Sequence, residues 1–118
     1  MKGRIGDSAR ISHVLDAILE IESYLENIEF EVFIRNSMMR YACIKQIEII
    51  GEACNHISDT IKTEFTDIEW AQIIAMRNIL VHEYFGVDST LVWQIVKEDI
   101  PFLKEKFLEI LKSIDNQA

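Results

Sequence analysis

The strongest constraint on this chain is the period of its apolar residues. From Ile11 to Ile114 they recur at three- and four-residue intervals, and no segment alternates strictly enough to form a strand. Ile11, Val14, Leu15, Ile18, Leu25 and Ile28 make one stripe, with Asp7 or Ser8 placed to cap its start. After a break near Asn27 to Phe30, Met39, Cys43, Ile47, Ile50, Cys54 and Ile57 make a longer one. Ala42, Ile49 and Ala53 widen it, so this second helix is expected to pack against more than one neighbour. Thr66 and Asp67 are placed to start a third helix, with Trp70, Ile73, Ile74, Val81 and Tyr84 on its stripe and Gly86 ending it. Asp88 or Ser89 is placed to cap the next, whose apolar face is Leu91, Val92, Ile95 and Val96. Pro101 predicts a break or kink and a restart with Asp99 as cap; Leu103, Phe107, Ile110, Leu111 and Ile114 complete the pattern. The expected fold is all-α, an up-and-down bundle of four main helices plus short extra ones.

Composition narrows this further. A chain of 118 residues is sized for a single domain, here 1–118. With one proline, four glycines and no low-complexity tract, an ordered chain is expected. Hydrophobic residues make up 49%, high enough at this size to predict a buried interface beyond the domain's own core, and a homodimer supplies one most simply. No stretch is long and uncharged enough to span a membrane, and Met1-Lys2-Gly3-Arg4 leads into no apolar signal core. Cys43 and Cys54 fall on one predicted helix, roughly 16 Å apart along its axis, too far for a disulfide. They read as small buried hydrophobes in a reducing compartment, and the chain reads as cytoplasmic. The net charge of −8 excludes nucleic-acid binding through a broad basic surface. Any contact with RNA must be local, a few arginines in a groove.

The candidate chemistry is concentrated in Arg77-Asn78-Ile79-Leu80-Val81-His82-Glu83-Tyr84. At a hundred degrees per residue Arg77 falls on the stripe of Trp70, Ile74, Val81 and Tyr84, where an apolar residue is expected. Asn78 and His82 share the adjoining flank. This spacing leaves two readings open. In the structural one Arg77 runs its head out to solvent and His82 favours the helix macrodipole. In the functional one Arg77 grips a phosphate with paired donors, His82 exchanges a proton near neutral pH, and Asn78 holds the imidazole or a substrate oxygen. Those groups suit metal-independent RNA cleavage by attack of the ribose 2′-hydroxyl on the adjacent phosphate. One acid–base group per chain is sparse for that reaction, and a two-fold dimer would bring two copies of the helix to one groove.

Arg77-Asn78-x-x-x-His82-x-Tyr84 resembles the Arg-x-x-x-x-His-x-Tyr signature of the HepT-like HEPN-domain ribonuclease toxins. Ile49-Ile50-Gly51-Glu52-Ala53 resembles that family's Ile-Gly-Glu-Ala segment. Trp70 through Met76 and Tyr84-Phe85-Gly86-Val87-Asp88 resemble the approach to the motif and its exit, while Val92-Trp93, Asp99-Ile100-Pro101 and Leu103 match the last helices. Thr66-Asp67-Ile68-Glu69 departs from the family, whose members often carry prolines there. The resemblance implies an α-helical HEPN-type homodimer with a composite site between protomers, in which Arg77 and His82 are catalytic and Asn78 accompanies the arginine. It also implies neutralisation by an MntA-like minimal nucleotidyltransferase antitoxin that transfers AMP to Tyr84. A bulky anion there, on the stripe of Arg77, would occupy the phosphate site. Glu52 is implied as a groove-lining residue. No cofactor and no metal are expected, since the paired Glu-x-x-His motifs of carboxylate-bridged bundles are missing.

Outside the motif, Glu48, Glu52 and His56 read as a solvated or ion-paired flank and His13 as a surface residue; Arg35, Arg40 and Lys45 have the chemistry to touch an RNA backbone, but read first as a solvated charged face. Trp70 and Trp93 read as core or interface anchors. Two further functions compete with a toxin ribonuclease: a non-catalytic HEPN-type module that binds a nucleotide or a partner protein, and a plain dimeric scaffold. A scaffold has no need of arginine, histidine and tyrosine together.

Overall fold

The computed structural model describes residues 4–82 and 88–117. Seven α-helices occur among them: α1 (Arg4–Tyr24), α2 (Phe30–Arg35), α3 (Ser37–Asn55), α4 (Asp59–Glu64), α5 (Trp70–His82), α6 (Ser89–Gln94) and α7 (Ile100–Gln117). A π-turn, Ile95–Asp99, joins α6 to α7, and no strand is present among the described residues. The all-α bundle expected from the stripes is the fold, with α2 and α4 as the short extra helices.

Turn chemistry separates the helices. Asn27 takes a positive φ of 59°, a conformation asparagine tolerates, after α1 ends. Asn36 serves both α2 and α3: its backbone N–H closes α2 on Phe33, and its side chain accepts from the Met39 N–H at 2.9 Å. Arg40, from α3, donates to the Ile34 carbonyl at 2.6 Å and so satisfies part of the end of α2. Asp88 caps α6 through the Thr90 N–H at 2.8 Å, as the sequence indicated.

The interior is the sum of the expected stripes. Ile11, Val14 and Ile18 from α1, Cys43, Ile50 and Cys54 from α3, and Phe107 and Ile110 from α7 are essentially inaccessible to solvent. Helix α1 packs against both α3 and α7, while α3 also carries α5, fulfilling the reading of α3 as a helix with more than one neighbour. Both thiols are free, and burial pushes Cys43 up to about 11 and Cys54 to about 12. Trp70 donates its indole N–H to the Phe65 carbonyl at 3.0 Å and lies 5.8 Å from the Phe107 ring. Trp93 fastens α6 to α2 through Phe30 and Phe33.

Four local expectations are corrected. Helix α1 is already formed at Arg4, so neither Asp7 nor Ser8 caps it. Asp7 is instead buried, and its carboxylate accepts from the Ser58 N–H at 2.9 Å and the Ser58 hydroxyl at 2.6 Å, anchoring the N-cap residue of α4. Thr66 and Asp67 lie in a turn ahead of α5, and Asp67 pairs with Lys106 at 2.6 Å. At Pro101 the chain neither breaks nor restarts with Asp99 as cap. The Ile100 N–H bonds five residues back to Ile95, and the widened π-turn relieves the clash a proline ring makes with the carbonyl four residues before it. Leu91, assigned to an apolar face, is 45% exposed, and Leu80 is the most fully buried of the α5 side chains described. The expected end of α5 at Gly86 lies outside the described residues.

Candidate active site

The site begins with a glycine. Helix α5 crosses α3 at Gly51, where an added Cβ would stand 2.3 Å from the Arg77 Cβ, 2.8 Å from its Cγ and 3.3 Å from the Ile73 carbonyl oxygen. No side chain fits in that gap. Glycine therefore lets the aliphatic stem of Arg77 lie against the backbone of α3, on the core-facing side that the stripe indicated. A close crossing fixes where the stem emerges, and so where its charged head can reach.

At the head, Arg77 Nη2 meets Glu52 Oε2 at 2.9 Å, and Nη1 donates to Asn78 Oδ1 at 2.9 Å. The other oxygen of Glu52 lies 3.1 Å from His56 Nε2. The Arg77 side chain is 31% exposed and that of Glu52 is 49% exposed, so this wet pair is worth no more than about 1 kcal/mol of stability. Its consequence is orientation. The guanidinium is held from two sides, and its remaining N–H donors have no partner among the described residues.

Beside it, α1, α3 and α5 enclose a groove of about 270 Å³. Arg10 and His13 enter from α1, Lys45 and Glu48 from α3, and Arg77 from α5. Among the described residues that line it, Arg10, Lys45 and Arg77 face Glu48 and Glu52, so this lining is net cationic even with its histidines neutral. A chain of net charge −8 thus keeps a small positive concavity beside the motif arginine. Among the described residues no group of His, Cys, Asp and Glu side chains is arranged to hold a metal ion.

Of the residues singled out from the sequence, Arg77, Asn78 and Glu52 come together. Asn78 joins the arginine directly rather than only sharing a flank with His82. Glu52 and His56 lie 3.1 Å apart on the flank expected to be solvated or ion-paired. His82 is the last residue of α5, and its side chain, like all of Tyr84, lies outside the described residues.

The family profile of HepT-like ribonucleases matches residues 14–110. The chain belongs to the HepT-like ribonuclease family. The enzyme class read from the sequence, an endoribonuclease, is the class this family carries. A "Putative RNase" of Methanocaldococcus jannaschii is 40% identical over 79% of this chain and 85% of its own length. A "Probable ribonuclease HepT" of Thermococcus cleftensis is also 40% identical, over 86% of this chain and 93% of its own. A "Gamma-glutamylcyclotransferase and putative RNase" of M. jannaschii is 38% identical over 89% of this chain, which spans only 47% of that protein. No solved structure matches the chain at a significant level. No described helix is long and apolar enough to cross a membrane.

Two parts of this HepT-like site were not read from its sequence. The contact of Gly51 with Arg77 had a signal: a glycine inside a helix costs about 1 kcal/mol relative to alanine, so its presence demands a packing reason. Arg10 and His13 had none. Their three-residue spacing on α1 is unremarkable until α1 is laid beside α3.

Proposed function

We propose that this HepT-like chain is the toxin of a toxin–antitoxin pair, a metal-independent endoribonuclease that acts in the cytoplasm through Arg77 and His82. The observation that carries the reading is the Arg77 guanidinium, tethered by Glu52 and Asn78 at the edge of a cationic groove in an otherwise acidic chain. In the reaction the 2′-oxygen attacks phosphorus and the bond to the 5′-oxygen breaks, leaving a 2′,3′-cyclic phosphate and a 5′-hydroxyl. His82 takes the proton from the 2′-hydroxyl or gives one to the departing 5′-oxygen. Arg77 stabilises the charge that builds on the non-bridging oxygens, and Asn78 holds the guanidinium in line.

A homodimer completes the site, with the second copy supplying the other proton-transfer group. Helix α5 supports this. It is apolar around much of its circumference yet packs chiefly on α3, leaving Ala71, Ala75 and Ile79 exposed, Ile79 by 52%. A helix of that composition is usually covered on all sides. Neutralisation follows from the same chemistry. An MntA-like minimal nucleotidyltransferase moves AMP from ATP to the Tyr84 hydroxyl with release of pyrophosphate, and the new phosphate then competes for Arg77.

The test is cleavage of RNA by purified dimer in the presence of a chelator. Arg77→Ala and His82→Ala are each expected to lower the rate by on the order of a hundredfold or more, with light scattering still reporting a dimer. Wild-type rates in His82→Ala would overturn the catalytic assignment. Intact mass after co-expression with the nucleotidyltransferase should show AMP increments that Tyr84→Phe abolishes.

A further inference from the structure

We propose that the α1–α3 wall of the groove, carrying Arg10, His13 and Lys45, is a second phosphate subsite that grips single-stranded RNA flanking the scissile bond. The identity of the polyanion rests on the ribonuclease reading; the cationic subsite itself rests on geometry. Arg77 is committed within its own helix crossing, to Glu52 at 2.9 Å and to Asn78 at 2.9 Å. The opposite wall is not. Arg10 and His13, three residues apart on one face of α1, have no hydrogen-bond or ion-pair partner among the described residues. The Lys45 ammonium has Glu48 at 3.9 Å, beyond hydrogen-bonding distance, and its side chain is 69% exposed.

Surface cations on an acidic protein ordinarily find carboxylates, and twenty Asp and Glu against twelve Lys and Arg make carboxylates plentiful here. Arg10, without a carboxylate partner among the described residues, and Lys45, only loosely paired with Glu48, instead focus positive potential into one concavity, which concentrates a polyanion where it has to bind. Ile49 and Ala53 add apolar surface to the groove lining, against which a ribose or base edge can rest. Arg77 and the α1–α3 wall therefore divide the labour: one holds the reacting phosphate, and the other anchors a neighbouring phosphate and sets the direction of the strand.

Fluorescence anisotropy with a 2′-O-methyl oligoribonucleotide tests this, because that probe binds but cannot undergo 2′-hydroxyl attack. Arg10→Ala and Lys45→Ala are each expected to weaken binding roughly tenfold at low salt. Each should also reduce the slope of log affinity against log salt by about 0.7, the value for one single-strand phosphate contact. Glu48→Gln, which removes an opposing carboxylate, should strengthen binding severalfold. Circular dichroism checks that each variant is folded. With cleavable RNA, the loss in Arg10→Ala and Lys45→Ala should fall on KM rather than kcat. Wild-type affinity and salt slope in the Arg10→Ala, Lys45→Ala double variant would overturn the subsite. The two readings fail separately: binding through Arg10 and Lys45 without any cleavage sinks the ribonuclease and keeps the subsite. Cleavage with KM indifferent to both substitutions does the reverse.

Discussion

The bundle interior and the α3–α5 crossing are built on opposite plans. In the interior, large side chains such as Phe33, Phe107 and Ile110 fill space completely, and stability comes from the volume they occupy. At the crossing, the smallest residue lies beneath one of the longest: Gly51 gives up its side chain so that Arg77 can use its own. The interior tolerates no missing atom, whereas the crossing tolerates no added one. A cation cannot be positioned by filling space around it, because its head must stay wet; it is positioned by fixing where its stem leaves the backbone.

Substitutions can break or sharpen that contrast. Phe107→Ala should cost the most stability, about 3–5 kcal/mol by chemical denaturation; a loss below about 1 kcal/mol would mean the interior is not close-packed. Gly51→Ala adds a single methyl group and should still cost about 1–3 kcal/mol by overpacking. Its cleavage rate, measured well below the unfolding temperature, should fall further than the lost stability explains, because Arg77 must move. A gain in stability, which helix propensity alone would predict, would show that the crossing is slack.

Glu52→Gln keeps the shape and removes the charge. Its stability should change by less than about 1 kcal/mol, while kcat falls on the order of tenfold to a hundredfold as the guanidinium loses its tether. Unchanged kcat would make Glu52 a bystander. The smallest effect belongs to Asp67 and Lys106, an ion pair that includes neither Arg77 nor a core side chain. The hydrogen bond from Lys106 holds the Asp67 carboxyl below its ordinary 3.8, and the same bond holds the Lys106 ammonium above its ordinary 10.5. The Asp67 contribution is therefore present above pH 3.8 and lost as pH falls through its lowered value. The Lys106 contribution is complete below 10.5 and lost as pH rises through its raised value. Lys106→Gln should flatten the acid limb of the stability–pH curve slightly in dilute buffer and not at all at about 1 M salt, where the pair is screened. An equal change at both salt concentrations would point to packing instead of charge.

Much of this was legible in one dimension. Three-and-four periodicity gave the helices, and local chemistry narrowed the α6 cap to Asp88 or Ser89, of which Asp88 serves. Arg77 stood out because a cation had replaced an apolar residue in a regular stripe. Local signals misled where a side chain had a better distant partner. Asp7 looks like a cap for α1 but serves Ser58 at the start of α4, because a buried carboxylate gains more from two firm hydrogen bonds than from an exposed helix end. Pro101 looks like a helix stop, yet the π-turn before it absorbs the ring.

The sequence by itself determined the all-helical class, which depends on which residues stand three or four positions apart, and the family, which its motifs resemble along most of the chain and the profile match shows. Only the tertiary structure decided what surrounds Arg77. Gly51, Glu52, Arg10 and His13 lie on two other helices, and their approach to it depends on a crossing distance that no spacing along the chain encodes. The acidic net charge taken alone argued against an RNA-binding protein. Folding overturns that argument by gathering Arg10, Lys45 and Arg77 from three helices into one groove, because electrostatic potential follows distance through space and not order along the chain.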